Sequence, residues 1–236
     1  MKIKVCILIL VFVLPIYSFS QSLFSFDESN SIVATKNPEN TKGLVLNETV
    51  KQLLIESRDI EFDLYLPFFD KDIILNAQKF NVYSDDFKII SLTKNGEEIF
   101  LKKPTILSYK LFFEGKSIGV LNLFNNDVNS TFKFNGKQYE ISKYKNKYIL
   151  FEASNCINNS NFSCALEEEF SNNISSQIMN ATSMLNPVCI ELAIEIDNFT
   201  RNTFSSTLEA TNWALAIIAG VSQIYDSEVS AAVVVT

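Results

Sequence analysis

The chain has no histidine among its 236 residues. A metal site that depends on imidazole ligands therefore cannot be assembled from it. Glycine and proline are scarce, at six and five, and they form no phosphate-cradling loop. Only 20% of the residues are charged and the formal net charge is −7, which argues against nucleic acid as a partner, because phosphate binding needs a basic surface. Beyond the N-terminus no segment is apolar for long enough to cross a hydrocarbon layer of roughly 30 Å. Tryptophan occurs once, as Trp213, on a helical segment where packing in a core is the expectation.

What remains is an ordinary globular composition. At 47% hydrophobic, the chain can bury a real core and is long enough for one large domain or two small ones. The charge is unevenly placed. From Glu152 onward there is one cation, Arg201, against ten carboxylates, so that section carries −9 and the first 151 residues carry +2. Such asymmetry predicts two differently built units.

The first twenty residues have the three parts of a secretory signal. Lys2 and Lys4 give a positive start, Val5 to Leu14 is an unbroken apolar run, and Ser18 and Ser20 supply the small-x-small pattern before a cut at Gln21. The run is too short for a membrane anchor, and Cys6 within it lies too early for lipid attachment. Export is the expectation, with a secreted product.

Residues 21–154 read as an antiparallel β-rich unit. Between Tyr109 and Tyr148 a series of strand-length runs, including "YKLFFEG", "SIGVLNLFNN" and "STFKFNG", is punctuated by Gly and Asn. Phe132 and Phe134 flank Lys133, which predicts one buried face. Ser91 to Leu101 predicts a hairpin whose Asn95-Gly96 suits a type I′ turn. Val50 to Glu61 has a helical stripe, whereas Glu61 to Phe69 looks extended.

Residues 155–186 are rich in Asn and Ser and carry the acidic patch Glu167-Glu168-Glu169, the composition of an exposed linker open to proteolysis. Three cysteines follow the signal: Cys156, Cys164 and Cys189. In an exported protein a Cys156–Cys164 or a Cys164–Cys189 disulfide is the default, with the third thiol paired elsewhere.

From residue 187 the pattern sharpens. Val188, Ile190, Leu192, Ile194 and Ile196 alternate with polar residues, predicting a strand with one face in a core. Ser206 and Glu209 form a capping box. Leu208, Thr211, Leu215, Ile218 and Tyr225 then mark a helical stripe, which Ala214, Ile217, Val221 and Ile224 widen. A second β-branched run, "EVSAAVVVT", completes strand, helix, strand: a βαβ crossover with parallel neighbours. The whole is α+β. Its last run has no turn after it and its βαβ has an uncovered face, which predicts a fragment of a larger protein.

The stretch "CIELAIEIDNFTRNTFSSTLEATNWALAIIAGVSQIYDSEVSAAVVVT" resembles the start of a reprolysin-like (adamalysin-type) metzincin catalytic domain, and the β-rich section before it looks like the propeptide of secreted bacterial members. The resemblance implies a secreted zinc metalloendopeptidase precursor that acts on proteins or peptides. Its propeptide would aid folding and keep its own catalytic domain latent. The family's H-E-x-x-H-x-x-G-x-x-H zinc motif is absent, so the resemblance implies that the catalytic machinery lies beyond Thr236, with no catalytic residue in this chain. It further implies that Glu191, in the I-E-L strand, is a candidate ligand for a structural calcium ion, a role a strand-face carboxylate suits; a solvated carboxylate is the other reading. Cys156 or Cys164 could act as a cysteine switch on the zinc, the alternative to a disulfide. Glu195 and Asp197 lack a partner for acid–base work. A different reading of the same residues is an exported β-rich binding or adhesion protein with an unrelated C-terminal α/β domain.

Overall fold

The computed structural model describes residues 22–27, 41–100, 102–124, 126–155 and 188–236. The expected signal peptide, most of the expected linker, and Cys156 and Cys164 lie outside the described residues.

Nine strands form one antiparallel sheet. In chain order they are β1 (Phe24–Phe26), β2 (Thr41–Leu46), β3 (Glu61–Phe68), β4 (Lys71–Phe80), β7 (Leu107–Phe113), β8 (Lys116–Leu123), β9 (Val128–Phe134), β10 (Lys137–Tyr144) and β11 (Lys147–Glu152). Between β4 and β7 stand β5 (Ile89–Thr93) and β6 (Gly96–Phe100), a separate hairpin. The spatial order is β1-β2-β11-β10-β9-β8-β7-β4-β3. The sheet curls until its two edge strands approach, and the Ser22 hydroxyl donates to the Tyr65 carbonyl at 2.7 Å, so the barrel is nearly closed.

Alternation dictates which side chains go inside. Leu64, Leu66 and Phe68 of β3, Ile73, Leu75 and Ala77 of β4, and Phe132 and Phe134 of β9 all point into one core. Lys133, between the two phenylalanines, is exposed as the pattern predicts. One mouth is covered by helix α1 (Glu48–Ser57), which joins β2 to β3 and lays Leu54, Val50 and Ile55 on the core. Asn47 caps it by accepting from the Val50 N–H, and Arg58, in the left-handed region at φ 52°, ends it, three residues before the sequence-predicted stop at Glu61. The opposite mouth is filled by aromatic rings: Phe68 packs edge-on against Phe69, Phe134 and Tyr139, and Phe113 against Phe134.

The tight turns make the long hairpins. Glu114-Gly115, Asn135-Gly136 and Lys145-Asn146 all have positive φ at both residues, the signature that matches strand twist. The sequence places this geometry at Asn95-Gly96, and there it is wrong. The loop residues are Lys94 and Asn95, with Thr93 paired to Gly96. The Thr93 hydroxyl accepts the Asn95 N–H at 3.2 Å and donates to the Gly96 carbonyl at 3.0 Å, shifting the turn by one residue.

The C-terminal segment is the expected strand–helix–strand, with both strands shorter than their periodicity suggests. β12 (Val188–Leu192) pairs in parallel with β13 (Ala231–Val235), and between them lie α2 (Asn198–Arg201) and the long α3 (Thr207–Val229). Residues 193–197 leave the strand, and Ile194 is 39% exposed rather than in a core. Glu228 and Val229 belong to α3, not to the second strand. The coarse α+β class holds: a β-rich, nearly closed antiparallel sheet with few helices.

Candidate functional site

The seam between the barrel and the strand–helix–strand segment gathers most of the buried polar side chains among the described residues. α3 lies on the outer surface of the barrel and meets it with small residues: Ala210, Ala214, Ala216 and Ala219 are buried, while Ile217, Ile224 and Tyr225 are exposed. The stripe expected from periodicity holds in part: Thr211, Ala214 and Leu215 are buried as expected, whereas Ile217, Ile224 and Tyr225 are not. Alanines let the helix backbone come close to the sheet, and a Cβ added at Gly220 would sit 3.7 Å from the Thr131 methyl. Trp213, expected in a core, is 40% exposed and leans on Phe204 with ring centroids 5.3 Å apart.

Because α3 covers the outer face, β8 is buried on both sides, with Val120 and Asn122 outward and Leu121 and Leu123 inward. A buried amide needs partners, and Asn122 has three. It accepts from the Ser108 hydroxyl at 2.7 Å, donates to Asn129 at 2.9 Å, and reaches the Ala216 carbonyl of the helix at 3.5 Å. Asn212 of α3 bonds twice to Thr105, and Gln223 reaches the Ser117 hydroxyl at 3.4 Å. Near the end of the helix, Lys110 of β7 pairs with Asp226 at 2.7 Å, its ammonium also lying 5.5 Å from the centre of the Phe80 ring.

The second contact is a strand addition. After β4 the chain runs along the free side of β13: the Val235 N–H donates to the Val82 carbonyl at 3.0 Å, and the Ser84 N–H donates to the Val235 carbonyl at 2.9 Å. Tyr83 and Val235 form a parallel bridge. The barrel unit thereby adds a one-residue parallel bridge to the edge of the two-stranded C-terminal sheet. A separate core seals the seam, built from Val82, Ile106, Leu215, Ala216, Ala219 and Val235. None of these partners is visible in local periodicity. The one available signal was polar: Asn212 and Gln223 fall among buried positions of the helix, where an amide demands a partner.

A groove of about 220 Å³ opens where the barrel loop Phe124 to Asn129 faces the start of α3, with Glu209 and Trp213 on its helical wall. Ser206 caps the helix by accepting the Glu209 N–H at 3.1 Å. The Glu209 carboxylate completes the box one residue early, accepting from the Ser205 N–H at 2.8 Å and the Ser205 hydroxyl. Those bonds hold its pKa below the usual carboxylate value. On the barrel wall, Asp127 accepts from the Tyr148 hydroxyl at 2.9 Å and the Val128 N–H at 2.8 Å. Burial, then the Asp127 charge, pushes the Tyr148 phenol well above its ordinary value.

Among the described residues, those singled out in the sequence form no cluster. Glu191 is exposed on β12, and among the described residues no group of three or more Cys, Asp or Glu side chains is placed to hold a metal ion. Cys189 is exposed on the same strand as a free thiol. Asp197 has a local task, capping α2 by accepting the Thr200 N–H at 2.7 Å, and Glu195 is exposed. No protein-family model, curated protein or solved structure matches the chain.

Proposed function

We propose that this chain is the N-terminal portion of an exported zinc metalloendopeptidase precursor, in which the barrel is a prosegment that templates the first strand–helix–strand of the catalytic domain and keeps it latent. The observation that supports this reading is the strand addition of Val82 and Ser84 to β13. A two-stranded parallel sheet with a single helix has too little core to stand alone. The barrel supplies both a backbone bridge at the edge of β13 and an apolar surface for α3 to pack on, which is what a folding template does. Zinc would take its ligands from sequence outside residues 1–236, since this chain offers no histidine. The test is to express the chain together with the sequence that follows it in the gene, and to assay bound zinc and chelator-sensitive proteolysis. Residues 1–236 alone should show neither, and a downstream sequence without an H-E-x-x-H helix removes the reading.

One observation favours the rival, an exported binding or adhesion protein. The β5–β6 hairpin stands outside the barrel sheet and exposes Ile90, Leu92, Ile99 and Phe100. Exposed apolar residues of this kind mark interaction sites. Binding of a partner that is lost in Ile90→Ser and Ile99→Ser, with no protease motif downstream, would establish it.

A further inference from the structure

We infer that the barrel holds the strand–helix–strand segment without needing the covalent link, so that a cut between residues 156 and 187 leaves a bound two-chain complex and not two free pieces. The contacts that join the two units are of the kinds that hold separate proteins together. Parallel backbone pairing of Val82 and Ser84 with Val235 is a strand addition, in which main-chain hydrogen bonds supply affinity. Beside it Val82, Ile106, Leu215 and Val235 make a dry apolar patch, all of them at most 5% exposed. Around the patch run the Asn212–Thr105 pair, the Gln223–Ser117 contact and the Lys110–Asp226 ion pair, so the patch has polar bonds at its margin.

The association requires nothing of the protease reading, because every contact lies between residues of this chain. In the setting of that reading, it means that severing the connection does not by itself unmask the C-terminal segment. A second event, such as destruction of the barrel, has to follow.

The experiment inserts the recognition sequence of a site-specific protease within residues 156–187 of the full chain, and follows the cut product by gel filtration. The expected result is one peak at about 10 µM containing both pieces, split only by denaturant. Separation into two peaks without denaturant overturns the proposal. Trp213, the only tryptophan, shares the groove with barrel residues Phe124 and Asn126, so its emission on dilution gives the dissociation constant.

Two sets of variants assign the grip to the named contacts. Ser84→Pro removes the N–H given to Val235 at a position outside the barrel sheet, and should raise the dissociation constant about tenfold or more, while Ser84→Ala keeps that N–H and should not raise it. Lys110→Glu, which sets two carboxylates against each other, should weaken binding about tenfold, and Lys110→Glu with Asp226→Lys should recover most of it. Equal affinity in Ser84→Pro and Ser84→Ala would show that the strand addition is not what joins the pieces. Loss of zinc-dependent proteolysis in the longer protein would leave these results standing.

Discussion

Asn212 holds Thr105 by two hydrogen bonds at once: its carbonyl oxygen accepts the Thr105 N–H at 3.1 Å, and its amide nitrogen donates to the Thr105 hydroxyl at 2.9 Å. One residue is on the long helix and the other follows the β5–β6 hairpin in the barrel unit, 107 positions away. Asn212 is buried and Thr105 half-buried, so water can replace these bonds only in part.

Asn212→Ala should therefore cost about 2 kcal/mol, the desolvation penalty of an N–H left without an acceptor. Thr105→Val, which keeps the N–H bond and loses only the hydroxyl, should cost about half as much. Urea unfolding of the two variants, followed by far-UV circular dichroism, measures the difference. Equal midpoints in the two variants would mean that the backbone bond contributes little.

Two glycines that look alike in the sequence should respond in opposite directions to alanine. A Cβ at Gly119 would lie 2.2 Å from the Thr131 carbonyl oxygen, a backbone atom that can yield only by distorting β9. Gly119→Ala should cost about 3 kcal/mol and lower the yield of folded protein. Gly220→Ala, in the interior of α3 with an ordinary 3.7 Å contact to Thr131, should stabilise by about 0.5–1 kcal/mol through helix propensity. Thermal unfolding of both variants decides it.

Tyr109 is fully buried in the barrel and its hydroxyl has no hydrogen-bond partner among the described residues. Burial, then the nearby Asp59 charge, raises its pKa from 10.0 to about 12. A phenol that ionises less readily in the folded state gives stability that is fully present below pH 10 and is lost as the pH rises from 10 toward 12. The urea midpoint should fall over that window, and less steeply in Tyr109→Phe. At neutral pH the same variant should be about 1 kcal/mol more stable, since it removes an unsatisfied buried hydroxyl.

Glu209 behaves in the reverse sense. Its carboxyl is held below its ordinary value of 4.5 by bonds from Ser205, so its contribution is present above that value and is lost as the pH falls through it into the acid range. Glu209→Ala should cost about 1 kcal/mol at neutral pH, by loss of the helix-start bonds and of a negative charge near the positive end of the helix. The cost should vanish when the measurement is repeated at acid pH.

The signals that were legible in the sequence are local ones. Phe132, Lys133 and Phe134 declare a half-buried strand because the side-chain period of a strand is two, whatever lies next to it. Asn135-Gly136 declares a tight turn because few residues accept positive φ. Ser206 and Glu209 mark a helix start because the unpaired N–H groups are a few residues away. The thrust of the β-rich unit and the strand–helix–strand order followed from such features alone.

The choice of partner was decided only in the tertiary structure. α3 carries apolar residues around much of its circumference, so periodicity could not say which would be buried. The barrel surface took Leu215 with Ala210, Ala214, Ala216 and Ala219, and left Ile217 and Ile224 exposed. Nothing near Val82 or Ser84 marks them as backbone partners of a strand that begins over a hundred residues later. Backbone hydrogen-bonding groups are alike at every position, and only the curl of the barrel brings that edge to β13. The sequence by itself determined which segments are strands and helices, through periods and caps that act over a few residues. Which of them meet, and which side chains the meeting buries, depended on the shape of the closed sheet.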